Sequence, residues 1–163
     1  KEFEGEEKVS VFNIGMGGGK TAQTVDYLKG KPSFLWIAPM RALCNNTFNR
    51  LTESHIDVEY YTDFKTKDKN NGCLNAVDKL LIVANSLHYL KKKTYDVIVI
   101  DEIETFIDKW NGTVMQHKKE NWEVFLNVLR KSKKIIFLLK IFSIDIYLKK
   151  ITKPNNKILC RVV

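Results

Sequence analysis

Short apolar runs alternate with amphipathic stretches along most of the chain. The apolar runs are rich in β-branched and aromatic side chains and are bounded by polar segments, which is typical of strands. Strands are predicted at 9–14, 33–38, 58–61, 80–84, 97–101 and 135–139, with 158–163 as a seventh candidate. Several runs are apolar at every position rather than at alternate ones, so they fit parallel strands buried on both faces.

The amphipathic stretches predict helices between these strands, at 21–28, 41–51, 103–109 and 121–129. In the last of these, Trp122, Phe125, Leu126 and Leu129 follow the i, i+3, i+4, i+7 spacing of a helix face that packs on a core. Segment 63–72 is polar and rich in lysine and asparagine, and it is predicted to be the main loop. The alternation predicts a three-layer α/β domain with a mainly parallel sheet covered by helices on both faces.

A glycine-rich segment separates the first predicted strand from the first predicted helix. Its residues are Gly15, Met16, Gly17, Gly18, Gly19, Lys20 and Thr21. Glycines allow a loop to wrap closely around a polyphosphate with its N–H groups pointing inward. In such a loop Lys20 would reach the β- and γ-phosphate oxygens of ATP, and Thr21 would bind Mg²⁺. The usual spacing has glycine at position 14, where this chain has isoleucine, and a plain glycine turn is the alternative interpretation.

An acidic pair follows the predicted strand 97–101. Asp101 and Glu102 end an apolar run at the carboxyl edge, where parallel sheets bind their ligands. Asp101 would bind Mg²⁺ through water, while Glu102 would orient and deprotonate the water that attacks the γ-phosphate. Alternatively, the two acids only start the next helix, where negative charge suits the helix dipole. The presence of both motifs, with strands between them, favours the catalytic interpretation.

Composition narrows the class of protein. The chain has 163 residues, of which 44% are hydrophobic, enough for one core and one domain. Its cysteines are widely spaced and its histidines isolated, so neither a disulfide framework nor a zinc site is predicted. No apolar stretch approaches the ~20 residues that span a bilayer, and the acidic amino end is unlike a signal peptide. We therefore expect a water-soluble protein in a reducing, intracellular compartment. Its first residue is not methionine and its last residues are strand-like, so we expect it to be a piece of a longer protein.

The formal net charge of +8 is unevenly distributed. Residues 1–113 carry 15 basic and 16 acidic side chains, whereas 114–163 carry 12 basic and 3 acidic ones. The lysine-rich segments 130–134 and 149–153 could neutralise nucleic-acid phosphates, a contact that salt would weaken. Alternatively, these lysines only keep a surface solvated.

Arg41 and Ser86 mark two further candidate sites. Arg41 begins the helix after the second strand, where a nucleic-acid phosphate would meet both a guanidinium and free helix N–H groups. Ser86 follows the fourth strand and, with Asn85, offers short polar donors in an equivalent place. Structural roles stay open for both segments, because Pro39 can start a helix and Ser86 can cap one.

In order and character these segments resemble the amino-terminal ATPase lobe of superfamily 2 helicases. Residues 15–21 (GMGGGKT) look like motif I, 38–43 (APMRAL) like motif Ia, 84–90 (ANSLHYL) like the next nucleic-acid-contact motif and 101–104 (DEIE) like motif II. Their detail is most similar to the replication origin-binding proteins of herpesviruses and their relatives in large DNA viruses. The resemblance covers residues 9–140.

The resemblance implies one RecA-like P-loop NTPase lobe over residues 1–163, from a DNA helicase that uses ATP and Mg²⁺ to open duplex DNA at a replication origin. Lys20 and Glu102 would be its catalytic residues. Its implied partners are single-stranded or origin duplex DNA and a second helicase lobe, and its implied location is the nucleus or a viral replication compartment.

Two departures from the family pattern lower the expected activity. Residues 140–143 (KIFS) stand where the family has motif III, and the arginine that a second lobe supplies to the transition state is missing, so weak ATP binding and slow hydrolysis are expected. A truncated, non-catalytic nucleotide- or DNA-binding remnant is the main alternative. A nucleotide or shikimate-type kinase is a weaker one, which Ile14 and Glu102 disfavour.

Overall fold

Seven parallel strands form one sheet in the computed structural model, which describes residues 8–12, 19–91, 93–113 and 115–139 and the backbone of 160–162. The strands are β1 (Val9–Phe12), β2 (Phe34–Ala38), β3 (Glu59–Tyr60), β4 (Lys79–Val83), β5 (Val97–Ile100), β6 (Lys134–Leu138) and β7 (Cys160–Val162). Their order across the sheet is β3-β4-β2-β5-β6-β1-β7, and every neighbouring pair is parallel. All seven predicted strands are present, with ends that differ by a few residues.

The central strands are buried along their whole length. In β2, β5 and β6 every residue is buried, and even Lys134 is only 7% exposed. This burial on both faces explains why the sequence shows continuous apolar runs instead of alternation. One core cluster includes side chains from β1 to β6 and from the helices that pack on them.

Five helices connect the strands, together with three short 3₁₀ turns, in the part of the chain that the structure describes. The helices are α1 (Lys20–Leu28), α2 (Arg41–Glu53), α3 (Thr66–Asn70), α4 (Ile103–Asn111) and α5 (Lys118–Lys131), and the 3₁₀ turns are Tyr61–Asp63, Cys73–Ala76 and Ala84–Tyr89. Right-handed crossovers in this strand order place α1 and α2 on one face, and Ala84–Tyr89, α4 and α5 on the other. Packing of α1 on α2, and of α5 on the 84–89 turn, agrees with this division. The predicted α/β domain with helices on both faces is thus confirmed.

Two local predictions were inaccurate. Segment 63–72 was predicted as a loop but contains α3, which is five residues long and has no buried side chain. Too little apolar surface is present there to produce a periodic pattern in the sequence. The strand predicted at 58–61 is limited to Glu59–Tyr60, because the chain turns into a 3₁₀ conformation at Tyr61.

The position of β6 decides the geometry of the candidate site. It pairs with β1 on one side and β5 on the other, so the strand before the glycine-rich segment and the strand before the acidic pair are both its neighbours. Strands lie about 4.8 Å apart, so β1 and β5 are roughly 10 Å apart. The carboxyl ends of β1 and β5 therefore lie on either side of the end of β6, and a metal-bound triphosphate can span the distance between them.

Among the described residues, no helix is both long and apolar enough to cross a bilayer.

Candidate nucleotide and nucleic-acid site

The glycine-rich segment meets α1 at the carboxyl end of β1. Residues 15–18 of the predicted phosphate loop, Gly15, Met16, Gly17 and Gly18, lie outside the described residues. Gly19 precedes α1 with φ 75° and ψ 10°, a left-handed conformation that favours glycine. Among the residues that the structure describes, no atom beyond its chain neighbours lies within 4 Å of the place where its Cβ would be, so these residues leave the space beside it open. An open, positive-φ glycine at a helix start is the local geometry that a phosphate-binding loop needs.

Lys20 and Thr21 form the first turn of α1, and both are half-buried. The ammonium group of Lys20 donates a hydrogen bond to the carbonyl oxygen of Leu139, just beyond β6. This bond crosses from the end of one strand to the end of its neighbour. It places the Lys20 charge at the carboxyl edge of the sheet, on the side towards β5.

Asp101 follows β5 directly and is fixed by the neighbouring strand. Its backbone N–H donates to the carbonyl oxygen of Ile37 on β2 at 2.9 Å. Burial, and then the adjacent charge of Glu102, raise the pKa of the Asp101 carboxyl from 3.8 to about 6. The indole N–H of Trp36 and the charge of Lys20 act in the opposite direction and lower this pKa. A largely buried carboxylate with a second acid beside it is a group that a cation would stabilise.

The two predicted motifs therefore meet at one edge of the sheet. Lys20 lies close enough to Asp101 for its charge to act on the pKa of that carboxyl. The carbonyl of Leu139, which Lys20 contacts, directly follows β6, the strand between them. The structure thus brings Gly19, Lys20 and Asp101 together.

Glu102 has an unusual backbone conformation. It lies between β5 and α4 with φ 44° and ψ 60°, a left-handed conformation that costs a non-glycine residue free energy. Its carboxylate accepts a hydrogen bond from the hydroxyl of Thr105 at 3.1 Å. The half-buried side chain is therefore held at the carboxyl edge, next to Asp101.

Arg41 lies at the start of α2, as predicted, and its side chain is exposed. Its Nε donates a hydrogen bond to the hydroxyl of Tyr61 at 3.1 Å, and this bond raises the pKa of the guanidinium. The turn before α2 is also tied to α4, because Lys109 Nζ donates to the carbonyl of Pro39 at 2.9 Å. The helix after the acidic pair thus touches the turn that carries Arg41.

Ser86 lies in the 3₁₀ turn Ala84–Tyr89 after β4 and is half-buried. It was predicted as a polar donor at the same sheet edge as Arg41, and the parallel order of β2 and β4 places both turns there. Nothing in the described contacts of Ser86 links it to the nucleotide side of the edge, so the structure groups it with Arg41 rather than with Lys20.

Two functional candidates were missed by sequence reasoning. One is the backbone carbonyl of Leu139, which carries no side-chain signal. The other is Asn121 on α5, which is fully buried and accepts from the backbone N–H of His88 at 2.7 Å while donating to the carbonyls of Asn85 and Gln116. In the 84–89 turn it binds His88 and Asn85, which lie 33 and 36 residues before it in the sequence. A local sequence pattern does not reveal contacts over such a separation.

The described residues include no cluster of three or more His, Cys, Asp or Glu side chains arranged to hold a metal ion. The residues that could hold a cation at this edge are Thr21, through its hydroxyl, and Asp101, through a water molecule, with phosphate and further water oxygens completing the set. That ligand set suits Mg²⁺, which keeps several non-protein ligands.

A comparison with models of known protein families identifies the family of this chain. The family model described as "Origin of replication binding protein" matches residues 3–140. The chain belongs to this family. The herpesvirus-type resemblance of its motifs is thereby confirmed.

Individual members of the origin-binding family match the same part of the chain. The replication origin-binding protein of Human herpesvirus 6A (strain Uganda-1102) is 28% identical over 134 residues, and that of Human herpesvirus 7 (strain JI) is 27% identical over 134 residues. Each match covers 80% of this chain but 16% of the viral protein. The chain thus spans 16% of the length of these relatives.

Two solved structures with a fold similar to that of this origin-binding family member carry helicase in their descriptions. The C-terminal domain of a possible DNA helicase from Lactobacillus plantarum WCFS1 is 15% identical with a TM-score of 0.51, and the match covers 97% of this chain and 86% of that one. The DUF1998 helicase MrfA bound to DNA is 17% identical with a TM-score of 0.53, over 98% of this chain and 23% of that one. At this level of identity the likeness establishes a helicase-like, RecA-type fold.

Proposed function

We propose that this chain is the ATP-binding lobe of a DNA helicase that acts in replication initiation at an origin, with ATP hydrolysis coupled to DNA unwinding. One observation carries the proposal: Lys20, which follows β1, donates a hydrogen bond to the Leu139 carbonyl at the end of β6, and Asp101 ends β5 on the other side of that strand, so two groups far apart in sequence converge. A glycine turn and a helix-starting acid pair, the two structural alternatives, do not require this convergence. Family membership and the helicase-like fold support the same function.

The residues present fit ATP and Mg²⁺. Gly19 leaves open space in a left-handed turn, where a loop can wrap around phosphates. Thr21 and Asp101 would hold Mg²⁺, whose charge would stabilise the ionised carboxyl against burial and against Glu102. When bound, the metal neutralises charge on the β- and γ-phosphates.

Lys20 and Glu102 would carry the chemistry. Lys20 would exchange its bond with the Leu139 carbonyl for bonds with the phosphate oxygens, which places its charge where negative charge develops. Glu102 would accept a proton from a water molecule as that water attacks the γ-phosphorus and the bond to the β–γ bridging oxygen breaks. The hydrogen bond from Thr105 orients this base.

DNA would bind at the neighbouring part of the same edge. Arg41, with the free N–H groups of the α2 start, and Ser86 in the 84–89 turn would contact backbone phosphates. The hydrogen bond between Lys109 on α4 and Pro39 links the helix after the catalytic acids to the turn that carries Arg41. A second helicase lobe would complete the motor, in the nucleus or in a viral replication compartment.

Two substitutions test the nucleotide site. Lys20→Ala should weaken binding of a fluorescent ATP analogue by at least about tenfold, because it removes a charge that contacts the phosphates. Glu102→Gln should retain binding and lower phosphate release by about a hundredfold or more, because it removes the general base. Lys29→Ala, a lysine just after α1 that pairs with Asp26, and Glu123→Gln on α5 are the matched controls.

Equal phosphate release by wild type and Glu102→Gln would contradict the hydrolytic role. If wild type binds no ATP, and its DNA binding is indifferent to ATP and unaffected by Lys20→Ala, the chain is the non-catalytic remnant instead. Added MgATP should also raise the thermal midpoint of wild type but not that of Lys20→Ala, since a ligand that binds only the folded state stabilises it.

A further inference from the structure

A continuous row of basic and aromatic side chains runs along the carboxyl edge beside the candidate nucleotide site. We call it the edge row, and it consists of Arg41, Tyr61, Lys69, Tyr89, His88 and His117. Each member contacts the next, although they come from five separate places in the chain: α2, the 61–63 turn, α3, the 84–89 turn and the residue before α5. Of its members, only Arg41 is a predicted DNA contact.

Lys69 lies at the middle of the edge row. Its ammonium nitrogen is 5.3 Å from the ring centroid of Tyr61 and 5.4 Å from that of Tyr89, within the range of cation–π attraction. Tyr61 also accepts the hydrogen bond from Arg41, so one ring joins the two basic groups. Two rings restrain a flexible lysine and hold its charge at a fixed place between the α2 start and the 84–89 turn.

The far end of the edge row is a stack of aromatic rings. The ring centroids of Tyr89 and His88 are 4.1 Å apart, and those of His88 and His117 are 4.3 Å apart with an interplanar angle of 28°. His117 is exposed and adopts a left-handed conformation with φ 50° before α5. Lys118 and Lys119, both exposed, follow it. The row therefore ends on an exposed ring beside two more positive charges.

We propose that the edge row is a binding path for single-stranded DNA, in which Arg41 and Lys69 contact successive phosphates and a base stacks on His117. The proposal deepens the DNA binding put forward above by extending it to Lys69 and His117. Fixed positive charges in line track a phosphate backbone, and exposed aromatic rings accept the faces of unpaired bases. Paired bases in a duplex have no free face for such a ring, so the single strand is the form that fits.

Glu120 opposes this path. It lies in the first turn of α5, which begins directly after His117, so its carboxylate is near the rings at this end of the row and would repel a phosphate. The path consequently predicts one substitution that strengthens binding as well as several that weaken it. Glu120 is exposed, in the first turn of α5, so its replacement by glutamine leaves the core intact.

Fluorescence anisotropy with a labelled single strand of about 15 nucleotides, without ATP, tests the path. Lys69→Ala should weaken binding several-fold at low salt and reduce the slope of log K against log salt by about 0.7, the value for one lost phosphate contact on a single strand. Lys69→Arg should restore both values, and Glu120→Gln should tighten binding. Lys67→Ala, the same charge change on the same short helix, is the control and should alter neither value, because Lys67 is exposed and outside the row.

His117→Ala should weaken single-strand binding more than duplex binding, because only unpaired bases stack. Unfolding of each variant by circular dichroism separates lost folding from lost contact. The path is wrong if wild type binds no single strand, if Lys69→Ala and Lys67→Ala behave alike, or if duplex binds more tightly and loses as much with His117→Ala. The nucleotide proposal is judged separately by ATP binding to Lys20→Ala: DNA binding that depends on Lys69 without any ATP binding would support the path alone.

Discussion

Glu102, the proposed general base, has a backbone conformation that lowers the stability of the fold. A left-handed backbone at a non-glycine residue costs about 1–2 kcal/mol, and glycine at this position would relieve that cost. The conformation nevertheless orients a carboxylate at the sheet edge, beside Asp101 and within reach of Thr105. Strain retained at an acidic residue next to a buried acid supports a functional role for it, since a merely structural turn would be more stable with glycine.

Asp101 should give the stability of the chain a characteristic pH dependence. Its folded pKa of about 6 lies above the ordinary 3.8, because of burial and then Glu102, so the folded state binds this proton more tightly than the unfolded state. The contribution of Asp101 to stability is therefore largest at low pH and is lost as the pH rises towards about 6. Wild type should gain stability relative to Asp101→Asn when the pH falls from about 7 to about 5, measured by urea unfolding.

Comparing wild type with Asp101→Asn removes the pH effects that other residues have on both proteins. Burial lowers the pKa of His88, so acidification should destabilise the folded state at that residue in both proteins. The effect cancels in the difference between wild type and Asp101→Asn. Parallel stability curves, or a wild type that loses stability relative to the variant at low pH, would contradict the raised pKa.

Individual residues differ in how far the sequence could predict them. Lys20, Asp101 and Arg41 have side chains whose chemistry matches a motif at the end of an apolar run, so their positions were predictable. The partner of Lys20 was not, because a backbone carbonyl such as that of Leu139 is present at every residue. The left-handed backbone of Glu102 was also hidden, since glutamate has no preference for that conformation.

At the level of elements, Asn121 is the residue on which the 84–89 turn depends. It lies within α5, is 0% exposed and makes hydrogen bonds to the backbone of three residues outside the helix. Asn121→Ala should lower the free energy of unfolding by about 1–3 kcal/mol, because the backbone groups it satisfies lose their partner. The backbone N–H of His88 should then exchange with solvent faster, and hydrogen exchange measured by NMR checks both effects.

Asn127→Ala provides the comparison on the same helix. Asn127 is half-buried and bonds to none of these segments, so its loss should change the unfolding free energy by no more than about 0.5 kcal/mol. Equal destabilisation by both substitutions, or unchanged protection of the His88 amide in Asn121→Ala, would show that Asn121 does not hold the turn.

Predictability of an element followed the amount of apolar surface it buries. The fully buried β2, β5 and β6 were recognisable as apolar runs, and α2 and α5 as periodic stripes. The short helix α3 buries no side chain, so nothing in its composition distinguished it from a loop. The order of strands across the sheet, and hence the place of β6 between β1 and β5, depends on long-range pairing that local patterns do not encode.

For the whole molecule, one consequence of the strand order is that the proposed nucleotide site and the proposed DNA path share one edge of the sheet. The nucleotide candidates lie at the ends of β1, β6 and β5, whereas the edge row begins beyond β2 and follows β3 and β4. The hydrogen bond from Lys109 to Pro39 connects α4, which follows the acidic pair, with the turn before Arg41. Any influence of ATP on DNA binding must be matched by an equal influence of DNA on ATP binding, so coupling between the two sites can be measured with either ligand.

The uneven charge of the chain leads to a prediction about DNA binding as a whole. Residues 114–163 carry 12 basic and 3 acidic side chains, and the lysine-rich segment 149–153 lies outside the described residues. If these lysines contact phosphates, replacing Lys149, Lys150 and Lys153 by glutamine should reduce the salt slope of single-strand binding by about 2, or roughly 0.7 for each. ATP affinity should stay unchanged, because the substitutions leave Lys20 and Asp101 intact.

Combining the triple substitution with Lys69→Ala shows whether Lys69 and the lysines of 149–153 contact DNA along one path or at separate places. Contacts that are far apart and independent lose binding free energy additively, whereas contacts on a single ordered path lose less together than the sum of their separate losses. In the proposed path Lys69 contacts DNA without help from residues 149–153, so we expect Lys149, Lys150 and Lys153 to add to its contribution independently. Additive losses measured by anisotropy at several salt concentrations would support this, and an unchanged salt slope in the triple variant would show that these lysines only solvate the surface.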